Sequence, residues 1–240
     1  MTSNQKPNIK VSRLKRETIS NQKEQSQANP PGVSIITCTN RPSFMERILA
    51  NYLRQNYEPR ELIIILNNNI MKIDEWTLKT KKYPGIRVFQ IDEQATVGEC
   101  INFAVKQARF DHVAKFDDDD YYAGQFLSQQ MNAFKFTTAK VIGKASWHIF
   151  FEASQTLAIY NPNNENSYGS YVTGATMVIK KEVFAIVPFP HLSEGDDIKF
   201  LQDCLQNNIK IYSTDKSNFV GIRRPAVETH SWQSDETSIL

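Results

Sequence analysis

The chain has 240 residues, 40% of them hydrophobic and 22% charged, and its 28 basic and 26 acidic residues leave a formal net charge of +2. This balance fits one globular domain with a substantial core and argues against a phosphate-backbone footprint, so nucleic acid is not an expected partner. Cys38, Cys100 and Cys204 are far apart, each in an apolar segment, the pattern of inert core thiols rather than of a disulfide framework or a zinc site.

Residues 1–30 are polar, rich in Asn, Gln, Ser, Lys and Glu, and read as a flexible tail with at most a short helix around 10–20. Pro30-Pro31-Gly32 then punctuates the chain and the folded part is expected to begin there. The longest aliphatic run, residues 62–66, is far too short to span a bilayer, and the first thirty residues lack an apolar signal core. The expectation is a cytoplasmic protein without a transmembrane segment, with room for peripheral membrane or complex association.

Residues 33–38 (VSIITC) form a short buried-strand pattern, and Pro42 suits a first helical position. Phe44, Ile48, Leu49, Tyr52 and Leu53 make the apolar face of a first helix, and residues 62–66 (LIIIL) a second strand. Asp74 is expected to cap a helix running to about residue 82, Pro84-Gly85 turns the chain, and residues 86–91 (IRVFQI) make a third strand. Val97, Ile101, Ala104, Val105 and Ala108 share one face of a helix leading into a fourth strand at 112–116. Farther on, residues 140–152 and 156–160 read as a strand pair, 161–170 as a polar loop, 171–179 as a strand, 197–206 as a helix and 209–212 as a closing strand. Strands alternating with helices predict an α/β fold with a mostly parallel central sheet and helices on both faces. Ligands of such sheets bind beyond the carboxyl ends of the strands, the edge where Thr39-Asn40-Arg41, Asn67-Asn68-Asn69 and the fourth strand's end all fall.

That fourth strand ends in FDDDDYY, residues 116–122. Two like charges about 4 Å apart repel by roughly 4 kcal/mol at an effective dielectric near 20, so the run requires compensation. Carboxylates at a strand tip can converge on a hard divalent cation, which removes the repulsion and can neutralise a diphosphate leaving group. A second acidic group, Asp196-Asp197, precedes the apolar face of the last helix, where a carboxylate is either a cap or a general base. Arg223-Arg224 could grip phosphate oxygens, Trp147, His148, Phe150 and Phe151 could stack on a sugar or base, and the small Gly174 and Ala175 could leave space for an acceptor.

Taken in order, VSIITCTNRPSFMERILANYLRQNY, ELIIILNNN, VGECINFAVKQA, VAKFDDDDYY, GATMVIKKEVF and EGDDIKFLQDCLQNNIKIY resemble the family 2 glycosyltransferases over roughly residues 33–213. The resemblance implies a GT-A nucleotide-diphospho-sugar transferase fold in a single domain over 31–240, with a nucleotide-binding part at about 31–122 and an acceptor part at about 123–240. It implies inverting transfer of a sugar from a nucleoside-diphosphate donor, a UDP-sugar by expectation, to an acceptor hydroxyl such as that of a glycan, with Mn2+ or Mg2+ as cofactor. By that resemblance Thr39, Asn40, Arg41, Asn67, Asn69, Asn102, Asp117 and Asp118 contact the nucleotide sugar, and Asp119, Asp117 and His230 hold the metal. Asp196 is the expected base, with Asp197 its alternate. The chain departs from the family in offering Asn67, Asn68 and Asn69 where many members carry a uracil-binding aspartate, although an amide can still pair with a pyrimidine edge. A non-catalytic sugar-nucleotide or glycan-binding domain is the alternative, and the presence of both Asp119 and Asp196 argues against it. A nucleotidyltransferase would need a glycine-rich, lysine-containing first loop, which TCTNRPSF lacks.

Overall fold

The structure, a computed structural model, describes residues 30–225. The polar N-terminal tail, its expected helix and His230 lie outside the described residues. The first half is the expected alternation: β1 (Val33–Thr39), α1 (Met45–Leu53), β2 (Arg60–Leu66), α2 (Ile73–Thr80), β3 (Ile86–Gln90), α3 (Val97–Gln107) and β4 (His112–Lys115). The second half runs β5 (Tyr121–Tyr122), α4 (Phe126–Ala133), β6 (Val141–Gly143), β7 (Trp147–Phe151), β8 (Thr156–Tyr160), β9 (Ser167–Gly169), β10 (Val178–Lys180), α5 (Asp196–Gln206), β11 (Ile211–Ser213) and β12 (Phe219–Arg223).

Strands β3-β2-β1-β4-β10-β6-β11-β9 form one sheet and β5-β12-β7-β8 a second. The first four strands of the large sheet are parallel, β10 is antiparallel to both neighbours, and β6 and β11 are again parallel. In β2, Leu62, Ile64 and Leu66 face a core built with α1, α4 and the small sheet, while Ile63 and Ile65 face one built with α3 and α5. Burial on both faces is why these strands read as continuous aliphatic runs rather than alternating ones. The chain builds outward from β1 to β3 and then returns to lay β4 on the other side of β1. At that reversal the connections leave in opposite directions, which opens a crevice at the carboxyl ends of β1 and β4.

Several local expectations shift. Helix α2 begins one residue before Asp74, and its N-cap position, Lys72, makes no side-chain capping bond. Leu53, expected on the buried face of α1, is 41% exposed. Residues 140–152 are not one strand: β6 and β7 belong to different sheets, so the chain changes sheet at residues 144–146. The polar loop contains β9, and the 171–179 strand shrinks to β10 preceded by a 3-10 turn over Gly174–Thr176. Cys100 and Cys204 are buried thiols, whereas Cys38 is partly open and lines the crevice. Among the described residues no helix is long and apolar enough to cross a membrane.

Candidate active site

Helix α1 turns a polar stripe toward the acidic run. Arg47 and Asn51 fall on one side because residues four apart stack on a helix, and Arg54 and Gln55 continue that side just past its C-terminal end. Arg47 donates to the Asp119 carbonyl at 2.5 Å, and Asn51 donates to the Asp120 carbonyl at 2.9 Å while accepting from the Tyr122 amide. Gln55 donates to the Ala123 carbonyl at 3.0 Å. Backbone carbonyls that would otherwise be orphaned in this tight loop are thus satisfied. Tyr122, fully buried and stacked on Phe116, accepts from the Asp117 amide and donates to the Ala175 carbonyl, both at 2.7 Å.

The four carboxylates meet four different environments. Asp117 pairs with Lys115 Nζ at 2.8 Å. Asp118 is buried and takes Thr39 Oγ1 and the Arg41 guanidinium; burial pushes its pKa up and Arg41 opposes that. Asp119 is bridged by Arg224 at 2.7 Å and Arg41 at 3.1 Å. Asp120 accepts from the Ile222 amide at 3.0 Å, and burial, followed by the charges of Asp119 and Asp117, holds its pKa well above the usual carboxylate range. Cations therefore offset the repulsion at three positions, and favouring the protonated form relieves it at the fourth.

The second acidic pair is delivered by α3. Asn102 clasps Phe189, donating to its carbonyl at 2.8 Å and accepting from its amide at 3.0 Å, and Gly98 N–H donates to the Leu192 carbonyl. Asn102 is not among the cleft-lining residues; its amide is spent on the Phe189 backbone. Beyond the clasp, Gly195 at φ +71° turns the chain into α5, a conformation that favours glycine. Asp196 is 7% exposed and its Oδ2 has no hydrogen-bond partner; the Asp197 side chain is 26% exposed and its Oδ1 also has none. The Asp197 carboxylate occupies the space that a β-carbon on Gly174 would take, 1.5 Å from Oδ2. Gly174 thus makes room for a carboxylate of the chain itself. Lys115 Nζ lies 3.6 Å from Asp197 Oδ2. Burial opposes the lysine charge, but Asp117, Asp197 and Asp196 outweigh it and raise its pKa well above the ordinary value. Burial raises the pKa of Asp197 to about 7 against the opposing charge of Lys115, and raises that of Asp196 for the same reason.

All of this surrounds one cleft of about 1180 Å³, lined by Thr39, Asn40, Arg41, Asn67, Glu93, Lys115, Asp117 through Asp120, Asp196 and Asp197, with Trp147, Tyr160 and Tyr171 farther along. Asn69 is exposed and exchanges bonds with Glu93, its Oδ1 accepting from the Glu93 backbone N–H and its own backbone N–H donating to Glu93 Oε2. Among the described residues, no group of three or more His, Cys, Asp or Glu converges as a metal cage. A dication that keeps its waters and takes phosphate oxygens needs only one or two carboxylates, and Asp119 and Asp117 are hard oxygen donors on this cleft, so the donor set fits such an ion. Lys115 and the α1 stripe were not expected from the sequence. The signals were there: a lysine inside a buried strand, and polar residues recurring at helical spacing.

The sequence profile of glycosyl transferase family 2 matches residues 34–187. The chain belongs to this family. A relative from Haemophilus influenzae described as an uncharacterized glycosyltransferase is 22% identical over 218 residues, covering 86% of this chain and 85% of that one. Among solved structures, residues 1-349 of S. aureus TarS in complex with UDP-GlcNAc superpose with a TM-score of 0.63 at 17% identity, over 82% of this glycosyltransferase and 59% of that TarS fragment. The mannosyltransferase PcManGT from Pyrobaculum calidifontis, in complex with GDP-Man and Mn2+, gives 0.61 at 14% identity, over 80% and 56% of the two chains. The glycosyltransferase thus spans somewhat over half of these solved chains and shares the GT-A fold of both.

Proposed function

We propose that the enzyme transfers a sugar from a UDP-sugar to an acceptor hydroxyl with inversion at the anomeric carbon, Asp197 acting as the base. The observation that carries the reading is the Asp197 carboxylate, set in the Gly174 cradle with one oxygen unpartnered and lining the same cleft as Asp118 and Asp119. Its pKa near 7 matches what a base working near neutral pH requires. Asp197 is favoured over Asp196 because its side chain is the more open of the two and it faces Lys115. The acceptor oxygen would surrender its proton to Asp197 while attacking the face opposite the diphosphate, a single displacement that inverts configuration. Thr39, Arg41 and Asp118 form one hydrogen-bonded unit at the end of β1 and would seat the nucleoside, with the Asn67 amide available to a pyrimidine edge. Arg41 and Arg224 would turn from Asp119 to the phosphate oxygens. Asp119 and Asp117 would hold Mn2+ or Mg2+, which when bound supplies charge neutralisation on the departing diphosphate. The nucleotide sugars bound to TarS and PcManGT, and the Mn2+ in the latter, support this assignment. On this reading residues from about 31 to 122 make the nucleotide part and those from about 123 to 240 the acceptor part of one domain.

The test measures UDP release and the anomeric configuration of the product by NMR, with Mn2+ or with chelator. Asp197→Asn should lose activity by about 10²–10⁴-fold, the scale of general-base catalysis, while UDP still raises the melting temperature. Retained activity in Asp197→Asn, or a product of retained configuration, overturns the mechanism.

A further inference from the structure

Two contacts direct the Asp197 carboxylate. Gly174 leaves the space in which it lies, and Lys115 Nζ, 3.6 Å from Oδ2, is the cation that faces it. The other oxygen, Oδ1, makes no hydrogen bond. A cradle only bounds a carboxylate, whereas an opposite charge draws it to one place. The lysine is itself fixed. It ends β4, where its N–H donates to the Met177 carbonyl at 2.9 Å and the Phe116 N–H donates to the Ile36 carbonyl at 2.9 Å. The Met177 N–H in turn donates to the Gly174 carbonyl at 3.2 Å. Contacts therefore close a ring, running from the Lys115 backbone through Met177 and Gly174 to Asp197 and returning through the ammonium group. The Lys115 side chain is 12% exposed, and Asp117 Oδ1 holds Nζ by a second arm at 2.8 Å.

We infer that Lys115 is a positioning residue of the transfer reaction: its ammonium group holds the Asp197 carboxylate at a set distance from Asp117, and so spaces the proton acceptor from the end of the cleft where the diphosphate departs. In-line displacement aligns the attacking oxygen, the anomeric carbon and the leaving oxygen, so the base and the leaving-group site must keep a fixed separation. A lysine suits this task because a compact ammonium with three donors can meet carboxylates from two separate segments at once. The assignment rests on the reading of Asp197 as the base and names what aims it.

The test is a double-mutant cycle of the full chain. Lys115→Met removes the charge and keeps an unbranched stem, and Gly174→Ala displaces the same carboxylate by another route. UDP release into water from UDP-glucose, UDP-galactose and UDP-GlcNAc is followed over a range of Mn2+ concentrations, and the UDP-induced melting shift reports nucleotide binding by each variant. Lys115→Met should lower kcat about tenfold or more, with donor KM and the UDP shift within about twofold of wild type. In the Gly174→Ala background the same change should cost less than about threefold, because both act through one carboxylate. A lysine that only supports the fold costs the same factor in both backgrounds, and one that serves the metal through Asp117 raises the Mn2+ concentration for half-maximal rate; either result overturns the inference. If Lys115→Met does not melt cooperatively, Lys115→Gln takes its place. Crystal structures of wild type and variant give a readout independent of turnover: the Asp197 carboxylate should move by about 1 Å or more, a displacement large enough to matter for rate, and an unmoved carboxylate overturns the inference. Full activity in Asp197→Asn sinks the base and this role with it, whereas an inactive Asp197→Asn beside a fully active Lys115→Met sinks the Lys115 role alone.

Discussion

Replacing Gly174 by alanine isolates the geometry of the base from the stability of the fold. The new β-carbon would stand 1.5 Å from Asp197 Oδ2 and 2.0 Å from its Cγ, where ordinary contact begins at 3.4 Å, so the oxygen must retreat by about 1.9 Å. Gly174 does not sit at positive φ, so alanine is compatible with its backbone and should itself contribute about 0.4–1 kcal/mol through the unfolded chain. That gain opposes the loosened Lys115 contact, and the melting temperature should move little. A misplacement of about 1 Å can cost roughly 10²-fold in rate, so UDP release in the presence of acceptor should fall by at least about that factor, with the UDP-induced melting shift kept. An alanine variant within threefold of wild type in kcat would show that the carboxylate in this cradle is not the base.

Because Asp197 must be ionised to accept a proton, kcat/KM should rise about tenfold per pH unit below 7 and level off above it; a limb centred near pH 4 would refute the elevated value. The same group makes the fold less stable as pH climbs from its ordinary 3.8 to about 7, since over that window the folded state holds the proton more tightly than the unfolded one, a trend readable in urea midpoints and absent from Asp197→Asn. Tyr122→Phe should cost about 1–3 kcal/mol in denaturant unfolding by leaving the Asp117 amide and Ala175 carbonyl without the hydroxyl, and an unchanged midpoint would contradict that bridge. Asn102→Ala should lower kcat and stability while leaving UDP affinity within about twofold, whereas a selective loss of UDP affinity would restore this side chain to the nucleotide.

The α/β rhythm of the first half was legible because its central strands are buried on both faces and its helices on one, which writes aliphatic runs and 3.6-residue stripes directly into the sequence. The reversal beside β1 follows from that rhythm, and with it the location of the acidic run. Less could be read after residue 122. There the strands are short, some lie at sheet edges, and β7, β8 and β12 belong to a second sheet whose long-range pairing leaves no local signature. Strand β12 was missed for that reason, and the eight-residue α4 because it has neither a side-chain cap nor an acidic first turn to announce it. Within the site, composition singled out the aspartates but not their partners: that Arg41 and Arg224 converge on Asp119 from opposite ends of the chain is a property of the fold alone. Asn102, likewise, is a polar residue near the ligand-binding edge whose backbone partners at Phe189 the sequence does not announce.

The clasp between α3 and Phe189 also sets a register. A helix turns about 100° per residue, so one residue inserted or deleted between Thr96 and Asn102 would swing the amide away from Phe189 and move the anchor of the segment that delivers Asp197. The glycine at position 98 tightens the constraint, since a β-carbon there would fall 1.8 Å from the Pro190 carbonyl oxygen. The spacing between the capping Thr96 and Asn102 is therefore a length standard: a helix whose Asn102 amide is spent on backbone fixes, by counting residues, where the Asp197 carboxylate sits.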